Sequence, residues 1–152
     1  MLAGCFCLRA SLCVSPSLFV ARSEPLWQAH VFGQFLHANL FHLLANVWVM
    51  WQLRFTLREL AAAYLLSVPA TLAVWQGTAI GFSSVLYVLM GMRLAAWRLS
   101  RAEWAWFIAA NVATAFVPGI AFGVHCAAFA LGWIYIKVKR LWDEYRGACR
   151  RR

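Results

Sequence analysis

The chain has 152 residues, of which 64% are hydrophobic, 16% aromatic and only 12% charged, with a formal net charge of +9 and a mean hydropathy of +0.68. Such a composition cannot cover a globule of this size with polar surface, so it predicts a single domain, residues 1–152, whose helices face lipid or one another. The positive charge argues against nucleic acid as a partner, because it falls between apolar runs and in the terminal "KVKRLWDEYRGACRRR", a pattern that suits anionic lipid headgroups.

In chain order, the first apolar segment, "AGCFCLRASLCVSPSLFVA", is interrupted by Arg9 and Pro16. It reads as a thin first span, with a signal-like segment as the alternative. Five further runs, 35–53, 58–76, 80–98, 103–121 and 122–139, approach the roughly 20 residues that cross a bilayer. The expectation is an all-α polytopic membrane protein of six transmembrane helices. Very short links at 77–79 and 118–122 make the helices they join antiparallel neighbours. Arg54 and Arg58 follow the second span, Arg93, Arg98 and Arg101 the fourth, and seven more basic residues the sixth; only Arg9 and Arg22 lie elsewhere. The positive-inside rule puts that side in the cytoplasm. The predicted location is a bacterial inner membrane, with the basic tail 140–152 cytoplasmic. Trp97, Trp104 and Trp133 read as interface anchors. The five cysteines form no C-x-x-C pair and no ligand quartet, so neither a zinc site nor a disulfide framework is expected.

Polar groups inside the apolar runs carry the functional signal. In "FLHANLFHLLANVWVM" stand His37, His42 and Asn46, and each costs several kcal/mol (~2–7) in hydrocarbon unless it finds a partner. Spans two, four and six run in one direction under the predicted topology. That brings His42 and Asn46, Ser83 of "GFSSVLYVLMG" and His125 of "FGVHCAAFALG" to one level. His42 and Asn46 share a helix face at i,i+4, as do Ser83 and Tyr87, with Gly91 continuing that face. Gly81 and Gly91 let helix four approach its neighbours closely. Taken singly, Ser83 reads as a packing serine, His125 as a structural histidine, and His42 with Asn46 as interhelical glue. Together at one level they suit acyl transfer. Ser83 is the nucleophile and neutral His125 its base, with Tyr87 stacked on the imidazole. His42, the Asn46 amide and the Ser83 N–H are donors for an oxyanion. His37, rotated by ~140° from His42, belongs to the start of the helix. His30 reads as a solvated loop residue, and Cys126 points ~100° away from His125.

At these residues the sequence resembles the rhomboid family of intramembrane serine proteases, over about residues 25–140. The family's His-x4-His-x3-Asn motif matches His37, His42 and Asn46. Its Gly-x-Ser-Gly motif with a Tyr four residues on matches Gly81, Ser83 and Tyr87, and its span-six His followed by small residues matches His125, Ala128 and Gly132. The resemblance implies a rhomboid-like six-helix bundle and a Ser83–His125 catalytic dyad. It further implies an oxyanion hole at His42 and Asn46, a structural His37 and hydrolysis of transmembrane-segment substrates near the outer membrane face, with no cofactor and no metal. Ser84 stands in place of the motif's second glycine, Ala128 in place of a common glycine, and the family's first loop and its Trp-Arg pair are reduced to "RSEPLWQAHVFGQ". Two other readings remain at this level. One is a rhomboid-like pseudoprotease that binds membrane segments without cutting them, against which the intact Ser83 and His125 argue. The other is a haem or metal protein using His37, His42 and His125.

Overall fold

The computed structural model describes residues 27–37, 39–74, 81–96, 100–114, 116 and 121–150. They form helices α1 (Trp27–Phe32), α2 (Leu40–Gln52), α3 (Leu57–Ala73), α4 (Ser83–Ala96), α5 (Arg101–Thr114) and α6 (Phe122–Cys149), with a 3-10 turn at Gly33–Phe35. The predicted first span and the link "WQGTAI" lie outside the described residues.

Local chemistry fixes where each helix starts. Asn39, in an extended conformation, caps α2 by accepting from the His42 N–H at 2.9 Å. That satisfies one of the unpaired donors at the helix end. Thr56 and Glu59 form a reciprocal capping box on α3. Gly81, at φ +105°, turns the chain into α4 through a backbone region that L side chains rarely adopt.

These stops overturn the expectation of a polytopic bundle. Among the described residues, no helix is long and apolar enough to cross a membrane. The apolar run 35–53 is not one helix, because the chain is extended at Leu36 and Asn39 before α2 begins. With 13 residues in α2 and 14 in each of α4 and α5, these helices reach only about 20 Å at 1.5 Å per residue, against roughly 30 Å of hydrocarbon. At 28 residues α6 has the length, but His125, Lys137 and Lys139 interrupt its apolar part and its second half is charged. The predicted multi-pass inner-membrane location falls with the spans. The positive-inside argument for a cytoplasmic tail needs crossing helices, so it falls too. The basic segment is a continuation of α6 to Cys149.

The relative directions expected of α3 to α6 are nonetheless kept. Ser83 meets His125, Gly91 meets Phe129 and Trp133, and Arg140 meets the Ala96 carbonyl, so α4 and α6 run parallel. Theirs is the most extensive helix pairing in the structure. Close approach requires glycine on both sides. A Cβ on Gly91 would collide with the Phe129 carbonyl, and one on Gly132 with the Val88 carbonyl. α3 runs against both, joined through Glu59–Arg93 at one end and Val74–Gly123 at the other. α5 is antiparallel to α6, with Trp104 against Trp133 and Phe107 against Phe129. The core is built on α4, whose Val85, Leu86, Val88, Leu89 and Met92 pack with Ala63, Ala70 and Ala128. Burying a side chain such as Leu89 contributes about 2 kcal/mol.

The segment before α2 is tied down by polar contacts. Gln34 Nε2 donates to the His30 carbonyl at 3.1 Å, and Ser67 Oγ lies 2.7 Å from Gln34 Oε1. Tyr64 Oη donates to the Val31 carbonyl at 2.7 Å. His30 is 2% exposed, which corrects its reading as a solvated loop residue. It sits in α1 beneath these contacts.

Candidate active site

The start of α4 and the start of α6 meet at two side chains. His125 Nε2 lies 3.0 Å from Ser83 Oγ. Parallel packing of α4 and α6 makes this possible, and the glycine pair lower down sets how close the two axes lie. Tyr87, one turn below Ser83, stacks on the His125 ring with centroids 4.2 Å apart and planes 7° apart. His125 Nδ1 is buried and has no hydrogen-bond partner among the described residues. The imidazole is thus oriented by an aromatic face where many hydrolases use a carboxylate. Burial, reinforced by the nearby His42 ring, lowers the His125 pKa from 6.5 to about 4. It is therefore neutral at physiological pH and able to take a proton from the serine hydroxyl.

His42 rises from the first turn of α2 and packs its ring on Gly81, where any Cβ would strike it. Burial lowers its pKa also. One turn further on, Asn46 is 8% exposed, and its Nδ2 is buried with no acceptor among the described residues. A free amide donor in such a place normally costs about 1–3 kcal/mol. This one lines the same cleft as Ser83. The cleft has a volume of about 330 Å³ between α2, α4 and α5, and its walls are Asn46, Val49, Ser83, Leu86, Tyr87, Met90, Phe107 and Asn111.

The predicted constellation is brought together: Ser83, His125, Tyr87, Asn46, His42 and Gly81 converge at one end of the helix cluster. His37 stands beside it, edge-on to His42 with ring centroids 5.2 Å apart. A backbone group of Phe35 hydrogen-bonds His37, whose pKa burial nonetheless lowers. Its contacts with Phe35 and His42 hold the segment just before Asn39. Cys126 is exposed and takes no part. Ser84, at the glycine position of the motif, is 3% exposed, its Oγ without a partner among the described residues, and Ala128 is fully buried. Both are small enough for the α4–α6 contact. The Trp27 side chain lies outside the described residues. Among the described residues no three His, Cys, Asp or Glu side chains are grouped to hold a metal ion.

Phe107 and Asn111, which complete the cleft from α5, are absent from the sequence-level site. Asn111 Nδ2 donates to the Phe107 carbonyl at 2.7 Å. The available signal was a lone amide in the apolar "FIAANVATAF". No protein-family model matches the chain, and no curated protein matches it.

Proposed function

We propose that the chain is a serine endopeptidase working through a Ser83–His125 dyad. The observation that carries this is the 3.0 Å approach of His125 Nε2 to Ser83 Oγ, beside a cleft lined by Ser83 and by the Asn46 amide, whose Nδ2 has no partner among the described residues.

The serine hydroxyl gives its proton to Nε2 as Oγ bonds to the scissile carbonyl carbon. The carbonyl electrons move onto oxygen, where Asn46 Nδ2 donates, aided by the Ser83 N–H and His42. Collapse of that intermediate breaks the C–N bond, and His125 returns the proton to the leaving amine. Water then repeats the sequence on the ester and frees Ser83. The order and spacing of the motif residues support the same reading through the rhomboid resemblance. So does the apolar lining of the cleft, which suits apolar segments drawn from membrane proteins as substrates. The 3.0 Å approach of His125 to Ser83 favours this reading over a pseudoprotease that binds membrane segments without cutting them.

A fluorophosphonate probe on the purified chain tests the reading directly. Covalent labelling of Ser83, lost in Ser83→Ala along with cleavage of an apolar model substrate, is the expected result. Cleavage that persists in Ser83→Ala would assign the nucleophile elsewhere.

A further inference from the structure

Beyond Gly132 no side chain of α6 is buried, and every residue from Lys137 to Arg146 is exposed. The helix still continues to Cys149. Arg140 Nη2 lies 3.5 Å from the Ala96 carbonyl at the end of α4, and past this point α6 leaves the cluster. The extension from Lys137 spans about 13 residues, roughly 20 Å. A polar helix of that length has little reason to persist alone, and this one is not polar all round. Ile134, Val138, Leu141, Trp142 and Tyr145 are between 53% and 66% exposed. At 100° per residue they fall in an arc of roughly 100°, with Trp142 and Tyr145 stacked at 5.9 Å.

Positive charge borders this stripe on both sides. Lys137 lies at one edge with Nζ 5.4 Å over the Trp133 ring, and Arg146 at the other, 5.4 Å from the Trp142 ring. Lys139 is matched by Asp143 at 2.8 Å beside the Arg146 edge, and Glu144 lies about 20° from Lys137 at the other edge, so Lys137–Cys149 carries four basic residues against two acidic ones. Apolar centre, aromatic rings and basic margins whose stems lie along apolar surface form the pattern of a helix lying in a lipid interface. A nucleic acid would use the charges and leave the stripe in water. A protein groove would need acid on both rims.

We propose that the α6 extension, Lys137–Cys149, docks flat on an anionic lipid surface, the stripe among the acyl chains and Lys137 and Arg146 at the phosphates. Such a helix lies on a membrane without crossing it. The proposal is independent of the Ser83 chemistry.

Flotation of the full-length chain with phosphatidylcholine vesicles, with or without phosphatidylserine, provides the test. The expected result is flotation favoured by phosphatidylserine and weakened by salt. Leu141→Gln with Trp142→Gln should lower partitioning on the order of tenfold, and Lys137→Gln with Arg146→Gln should lower it comparably. Far-ultraviolet circular dichroism verifies that the helix survives. Should the paired variants unfold, Tyr145→Gln alone must show a smaller loss. Unchanged flotation in the folded variants overturns the proposal, as does equal flotation on neutral vesicles at low and high salt. RNA binding without flotation would replace the lipid by a nucleic acid and overturns it likewise.

Discussion

Tyr87 lies flat on His125, with ring planes 7° apart and centroids separated by 4.2 Å. With no hydrogen-bond partner on Nδ1 among the described residues, this face is what holds the imidazole toward Ser83. An offset aromatic contact is worth about 1 kcal/mol. Tyr87→Ala should therefore slow turnover roughly fivefold, while Tyr87→Phe, which keeps the ring, should stay near the unaltered rate. The rate of fluorophosphonate labelling at Ser83 reads the same difference without a substrate. Equal labelling in both variants would reduce Tyr87 to packing.

His42 and Asn46 make a second prediction. If their donors serve the oxyanion, kcat and kcat/KM should fall together, because the interaction strengthens only in the transition state. With three donors sharing the charge, His42→Ala and Asn46→Ala should each cost about tenfold, and the pair on the order of 10²–10³. Interhelical glue gives the opposite pattern, a lowered Tm with normal turnover in the folded fraction. Melting curves and kcat on the two single variants and the double variant separate the cases.

The pH profile follows from the burial of His125. Because His125 in the folded chain titrates at about 4, kcat/KM should stay level down to about pH 5 and decline below it. Stability has the same sign. An unfolded chain protonates this imidazole near 6.5, while the folded one resists until about 4. The stabilisation from keeping it neutral is thus complete above 6.5 and is lost as pH falls from there through about 4. Measuring both against pH decides it. An inflection in kcat/KM near 6.5 would mean a hydrated imidazole.

Gly91 yields a structural prediction. A larger side chain there must push into the Phe129 carbonyl on α6, so Gly91→Leu should destabilise by roughly 3 kcal/mol. It should also pull Ser83 away from His125. Ala130→Leu, on the exposed side of α6, should leave Tm almost unchanged. A similar Tm for both would remove the close approach as a determinant.

Much of this arrangement was legible in the chain itself. The i,i+4 pairs, the glycines and the direction of each helix follow from spacing and short links, and they bring Ser83, Tyr87 and His125 together. Helix length was not legible from hydropathy. An apolar count runs on through Phe35, Leu36 and Leu40, whereas the Asn39 cap restarts the backbone between them. The same blindness hid Gln34 and Ser67, whose bond at 2.7 Å spans 33 positions and buries a segment that reads as a loop. Phe107 and Asn111 enter the cleft only through the way α5 packs, which a spacing argument on α2, α4 and α6 does not reach.

One oxygen has a reach out of proportion to its size. Glu59 Oε2 accepts from the Thr56 N–H at 2.7 Å, contacts Thr56 Oγ1 at 3.0 Å and receives Arg93 at 2.9 Å. It locks the first turn of α3 and pins the far end of α4 with the same lone pairs. α4 is a stiff rod, and ten residues separate Arg93 from Ser83, about 15 Å of rise. Glu59 thereby acts as the zero of a ruler on which the height of Ser83 beside His125 is marked, though it touches neither.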